Sequence, residues 1–208
     1  MIKTIIFDFD GVLANSLDAA TSIVNIIGSR YGLPPITRDD IRNVGVSGLL
    51  KKHNISTFKL FFFAREAKTR MNKVIESVEI TPGIKPVLEQ LASTYKLGIL
   101  SSNSQINITP FLKKHALDEF FSFIHSDSSL FGKDKSLIRA CKKEGLNIDE
   151  IVYIGDEARD IKAAKKVGAT IIAALWGYEA EHILTPLEPN YLAKIPQDLL
   201  DITSSFAP

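Results

Sequence analysis

Residues 5–16 read IIFDFDGVLANS. Thr4 to Phe9 is an apolar run ended by Asp10-Gly11, the pattern of a buried strand that meets a turn. It carries two carboxylates one residue apart, Asp8 and Asp10, which repel each other when both are ionised and close. The reading of the whole chain turns on whether other segments bring partners to this pair.

After this strand the pattern is helical for a long stretch. Leu17 to Tyr31 has apolar residues at helical spacing and closes at Gly32 and Pro34-Pro35. A helix opens at Thr37-Arg38-Asp39-Asp40, the segment with Gly45 and Gly48 reads as a loop, and Thr57 to Val78 is rich in helix formers. Thr81-Pro82-Gly83 breaks the run. From there strand and helix alternate. Strands are expected at Lys96 to Leu100, Phe120 to His125, Ile151 to Ile154 and Thr170 to Leu175, and helices at Ile84 to Tyr95, Ile108 to Ala116, Lys135 to Glu144 and Ala158 to Val167. Repeated βα units imply a parallel sheet with helices on both faces. The expected fold is therefore α/β, a Rossmann-like parallel sheet core formed by residues 1–14 and 83–208, with an inserted α-helical cap domain at 15–82.

Composition fits this and excludes other classes. The 208 residues are 45 % hydrophobic and 24 % charged, enough for one sizeable core. A net charge of +1 gives no general attraction to nucleic acid or to an anionic membrane. The single cysteine, Cys141, permits no intrachain disulfide and suits a reducing compartment. Asp8 and Asp10 interrupt the only early apolar run, so no signal peptide is expected, and no stretch has the length to span a bilayer. A cytoplasmic monomer or homodimer is the expectation.

Open α/β sheets bind ligands outside the carboxyl ends of their strands. The first strand delivers Asp8 and Asp10 to that edge, and the next delivers Ser101-Ser102-Asn103-Ser104. The third leads through His125 and Asp127 towards Gly132-Lys133, and the fourth delivers Gly155-Asp156-Glu157 and then Asp160. Taken singly, each of these is an ordinary turn, helix start or solvated charge. Jointly, four carboxylates, a hydroxyl cluster and a lysine converge on one edge. Several carboxylates in one cleft raise each other's pKa unless a cation compensates, and Mg²⁺, a hard ion that takes carboxylate and phosphate oxygens, suits them. In that setting one aspartate can attack phosphorus and the other can carry a proton to the leaving group and later take one from water. Hydroxyl, backbone N–H and lysine groups would hold the phosphoryl oxygens.

Here the chain resembles the haloacid dehalogenase (HAD) superfamily. FDFDGVLANS is similar to the family's first motif, which implies Asp8 as nucleophile, Asp10 as acid/base and Gly11 beside the phosphate. ILSSN is similar to the second, implying Ser101, with Ser102 or Asn103 as alternatives in register and as phosphate contacts. FGKDK resembles the third, implying Lys133 in preference to Lys135, although the usual proline pattern is replaced by Asp134-Lys135-Ser136. YIGDEARD resembles the fourth, implying Asp156 as a metal ligand, Asp160 as its partner and Glu157 as a further neighbour. In the family the main-chain carbonyl at the Asp10 position also ligates Mg²⁺. The helical insertion corresponds to a cap of the phosphoglycolate phosphatase type, and Trp176-Gly177-Tyr178 is familiar in such enzymes after the last core strand.

The resemblance implies a Mg²⁺-dependent phosphatase of small phosphorylated metabolites, phosphoglycolate or a sugar phosphate, acting through an aspartyl-phosphate. A β-phosphoglucomutase-type mutase is the alternative, but such relatives carry a histidine in the first cap helix, where this chain has Ala20 and no histidine. Dehalogenases lack an aspartate at the Asp10 position. A receiver-like module would carry its phosphorylated aspartate after the third strand, and a silent phosphate-binding relative would be expected to have lost Asp8, Asp10 or Lys133. In the cap, Arg42, Gly45, Gly48 and Lys51 are candidate substrate contacts, with Lys52, Arg65 and Arg70 less distinctive. Phe58 and Phe61 to Phe63 are expected to pack within the cap.

Overall fold

The computed structural model describes residues 1–53, 55–127 and 132–206. Its elements in chain order are β1 (Thr4–Phe7), α1 (Leu17–Gly28), α2 (Arg38–Lys52), α3 (Thr57–Val74), α4 (Ile84–Ala92), β2 (Lys96–Ser101), α5 (Gln105–Lys114), β3 (Phe121–Ser126), α6 (Lys133–Glu144), β4 (Ile151–Gly155), α7 (Ala158–Val167), β5 (Thr170–Ala174), α8 (Glu181–Leu184), β6 (Tyr191–Ala193) and α9 (Asp198–Ser204). The strands form one parallel sheet in the order β3-β2-β1-β4-β5-β6. The direction of winding reverses at β1, so its carboxyl end opens on the crevice where such sheets bind ligands.

Alternation along the strands explains why both faces are covered. Ile5 and Phe7 lie in one apolar cluster with Ile99, Ile154 and residues of α4, α5 and α9. Ile6 faces the other way, with Tyr153, Ile171 and residues of α6 and α7. A strand with period-two side chains buried on both faces must read as a continuous apolar run, as residues 4–9 do. Burial of each such large side chain contributes ~1.5–3 kcal/mol.

Helices α1 to α3 bury a separate cluster that includes Leu17, Val24, Ile27, Leu49, Leu50 and Phe63. The chain leaves and re-enters the sheet region through two paired linkers. The Asn15 N–H donates to the Glu79 carbonyl at 2.9 Å, and the Thr81 N–H to the Leu13 carbonyl at 2.9 Å.

The structure departs from the sequence expectation at several points. Gly48 lies inside α2, not in a loop; the break is at Gly45 alone, with φ 67° and ψ 161°. Helix α6 starts at Lys133 itself, two residues early, so the lysine is anchored on a helix. A sixth strand, Tyr191–Ala193, extends the sheet: three residues are too few to show alternation, and it forms because β5 offers an open edge. Phe63 packs in the helical insertion, but Phe61 and Phe62 are 58 % and 45 % exposed, and the Phe58 side chain lies outside the described set.

Two predictions follow from this packing. A Cβ built at Gly98 in β2 would stand 2.1 Å from the Phe123 ring of the neighbouring strand. Gly98→Ala should therefore lower stability by ~1–3 kcal/mol in equilibrium urea unfolding, through overpacking. Burial pushes the Cys141 thiol up to about 11, and the residue is 2 % exposed. Iodoacetamide should leave it untouched in the folded protein at pH 8 and alkylate it once the chain is unfolded.

Candidate active site

The sheet register assembles the site. Phe7 pairs with Ile99 on one side and Ile154 on the other. The residues just past those positions, Asp8, Leu100 and Gly155, therefore sit in one row, with Ser101 and Asp156 one step further. The Asp8 N–H donates to the Ile154 carbonyl at 2.8 Å, extending the ladder into the site.

Asp8 is buried and its carboxylate is held from two directions. Oδ1 accepts from the Phe9 N–H at 2.7 Å, and Oδ2 accepts from the Lys133 ammonium. Lys133 bridges to Asp160 Oδ1 at 2.6 Å and lies 5.3 Å from the centre of the Tyr153 ring. Burial alone would lower the Lys133 pKa, but the Asp160 and Asp8 carboxylates outweigh it and hold the ammonium above its ordinary value. One carboxylate oxygen from each of Asp8, Asp156 and Asp160 lies within 4.8 Å of the others. Among the described residues one lysine bridges these three carboxylates, so their negative charge is in excess of it. Asp156 shows the consequence: burial first, then Glu157, Asp160 and Asp8, push its carboxyl well above the ordinary range.

Around its Oδ2 and Cβ, Asp156 sits in a cradle with no room for a further carbon. Its Oδ2 accepts from the Tyr178 N–H at 2.7 Å. A Cβ at Gly11 would stand 2.0 Å from that oxygen, and one at Gly177 2.2 Å from the Asp156 Cβ. Gly11 also has φ +77°, which independently favours glycine. Asp160 Oδ2 accepts from the N–H groups of Asp156 and Glu157, at 3.2 and 3.1 Å, and so shapes the turn from β4 into α7. Glu157 is directed to Arg159, whose Nε donates to Glu157 Oε2 at 2.7 Å.

Asp10 differs from Asp8. Burial, then the Asp8 charge, raise its pKa to about 6, against the opposing effect of the nearby Ser16 hydroxyl and the Asn103 amide. Asn103 Nδ2 donates to Asp10 Oδ2 at 3.0 Å, while Asp10 Oδ1 has no hydrogen-bond partner among the described residues. Two adjacent carboxylates are thus placed in unlike environments, the arrangement that separates a nucleophile from an acid. Ser101 is buried, and its Oγ accepts from the Asn103 N–H at 3.0 Å. A small cavity beside it is lined by Leu100, Ser101, Ser102, Asp127, Lys133, Ser136 and Arg159.

The helical insertion treats its four candidates differently. The Arg42 guanidinium donates to the carbonyls of Leu175, at 2.9 Å, Trp176 and Gly177, and its own carbonyl accepts from the Ala180 N–H at 2.8 Å. The chain leaving β5 presents these carbonyls without ladder partners, and a forked donor satisfies all three. Arg42 therefore docks α2 onto the loop that cradles Asp156, with three of its five N–H donors directed to that loop. Gly45 approaches Glu179, whose Oε1 would lie 2.5 Å from an added Cβ. Gly48 is helical, and Lys51 is exposed on the last turn of α2. Sequence reading missed Glu179, which burial raises to about 7 and whose Oε2 accepts from the Ala158 N–H at 2.6 Å. It also missed Asn72, Asn107 and Arg159, since isolated polar residues on helices carry no local signal.

Comparison with known proteins agrees with this geometry. The profile of the haloacid dehalogenase-like hydrolases matches residues 5–174. A phosphoglycolate phosphatase of Synechococcus elongatus is 31 % identical over 203 residues, covering 96 % of each chain, and one of Chromobacterium violaceum is 25 % identical over 213 residues, covering 93 % of this chain and 95 % of that one. A solved haloacid dehalogenase-like hydrolase of Streptococcus pneumoniae superposes with a TM-score of 0.81 at 23 % identity, over 97 % of this chain and 98 % of that one, a likeness of fold. The chain belongs to the haloacid dehalogenase-like hydrolases and is a phosphoric monoester hydrolase of that superfamily. No helix among the described residues is long and apolar enough to cross a membrane.

The cradle makes a sharp prediction. Gly177→Ala should displace Asp156 and lower kcat on any phosphate ester ~100-fold, with a folded circular-dichroism spectrum, measured by steady-state phosphate release.

Proposed function

We propose that this hydrolase removes phosphate from small phosphorylated metabolites in a Mg²⁺-dependent reaction through an aspartyl-phosphate on Asp8. The likeness to phosphoglycolate phosphatases over nearly the full chain makes phosphoglycolate the leading substrate, with sugar phosphates next. Residues 15–82 would act as a cap over the cleft, and the leaving group would be selected where α2 and α3 face it.

The observation that carries this reading is the asymmetry of the two N-terminal aspartates. Asp8 is pinned by the Phe9 N–H and by Lys133, an oriented carboxylate suited to attack phosphorus. Asp10 has a raised pKa and one free oxygen, suited to protonate the departing oxygen and then to take a proton from the water that cleaves the intermediate. Lys133 and the Ser101 to Asn103 turn would hold the phosphoryl oxygens as their charge shifts.

The donor set fits a hard divalent cation. Three carboxylates converge, and Asp156 Oδ1 is buried with no hydrogen-bond partner among the described residues. Asp8 and Asp156 would hold the ion, with the Asp10 carbonyl as the family pattern implies. Asp160, engaged by Lys133 and by two N–H groups, would position the Asp156 turn from behind. When bound, Mg²⁺ would neutralise carboxylate charge and polarise a phosphoryl oxygen.

The test is phosphate release from a panel of phosphorylated metabolites, with Mg²⁺ and with chelator. Wild-type enzyme should turn over only with the metal, and the isosteric Asp8→Asn should lose at least ~10⁴-fold in kcat. Substantial turnover by Asp8→Asn, or turnover that survives thorough chelation, would overturn the nucleophile or the metal assignment respectively.

A further inference from the structure

Asp10 is connected to the helical insertion by a chain of three asparagines. Asn103 and Asn107 are 6 % and 5 % exposed, and Asn72 lies at the surface on α3. Asn103 Oδ1 accepts from the Ser104 N–H at 2.8 Å and from Asn107 Nδ2 at 2.7 Å. The other N–H of that Asn107 amide donates to Asn72 Oδ1. A backbone N–H can only donate, so Ser104 fixes which end of the Asn103 amide is oxygen, and the Nδ2 end must face Asp10. Asp10 Oδ2 then has to accept, as it does at 3.0 Å.

We propose that Asn107 and Asn72 are positioning residues for the Asp10 carboxyl: through Asn103 they reserve Oδ2 as an acceptor and leave Oδ1 as the oxygen that bears the proton for the leaving group. An Nδ2 donor bonds more strongly to an oxygen that carries no proton, which favours the proton on Oδ1, an atom with no hydrogen-bond partner among the described residues. The inference rests on Asp10 being the acid of the preceding section. In the first step a P–O bond forms to Asp8 and the ester P–O bond breaks. The proton on Asp10 Oδ1 moves to the departing oxygen, which leaves as a neutral alcohol, and Asp10 remains as carboxylate. Because Asn72 belongs to α3, the alignment of the acid depends on that helix being docked.

Leaving-group chemistry distinguishes this role from a structural one. 4-Nitrophenol departs as a stable anion without a proton, whereas an alkoxide does not. Asn107→Leu and Asn72→Leu should lower kcat for glycerol phosphate by about tenfold and for 4-nitrophenyl phosphate by less than about threefold, with KM little altered. Asn72→Asp, which retains an acceptor oxygen, should recover most of the loss. In an Asp10→Asn background Asn107→Leu should cause no further discrimination between the esters. Proportional losses on both esters, or none on either, would overturn the relay while the phosphatase reading stands. Failure of wild-type enzyme to release phosphate from either ester would overturn that reading and the relay together. Asn72 is exposed, so its substitution tests the idea even if Asn107→Leu does not fold.

Discussion

The structure depends on one electrostatic constraint, the burial of several carboxylates at the point where the sheet reverses its winding. Lys133 bridges Asp8 and Asp160, and among the described residues no ion pair reaches Asp156. The strands set the rows, the first residue of α6 brings the ammonium, and the turn into α7 directs two N–H groups to Asp160. Such a cluster is unfavourable by itself and becomes useful where a cation and a phosphoryl group complete it.

The same economy of space explains the glycines. Gly11 and Gly177 close on Asp156 from two loops, one after β1 and one after β5. Tyr178 joins them, its N–H on Asp156 and its hydroxyl 2.9 Å from Ser16 at the start of α1. Arg42 fastens α2 to the carbonyls of that same loop. The helical insertion is thus attached to the loop that holds the candidate metal ligand, and through Asn72 to the residue proposed as acid. Motion of the helices would be felt at both ends of the cluster.

The apolar run ending in DFD, the repeated βα punctuation and the four carboxylates at strand ends are local patterns, and they were legible in the sequence with the class of chemistry they serve. Family membership follows from those same stretches, because motif spacing tracks the fold. What local pattern could not decide is what depends on contacts between distant segments. Nothing local to Arg42 marks the carbonyls its guanidinium meets across more than 130 residues. Gly48 looked like a loop residue, yet the helix continues through it, since packing of Leu49 and Leu50 outweighs a propensity cost of ~1 kcal/mol. The short strand Tyr191–Ala193 exists only because β5 offers an edge. The unlike environments of Asp8 and Asp10 arise from Lys133, Asn103 and Ser16, brought together from three separate segments of the chain. The sequence by itself determined which residues arrive at the cleft, because strand periodicity and turn chemistry are local. Only the tertiary structure decided what each does there, because burial, charge pairing and hydrogen-bond direction are properties of neighbours.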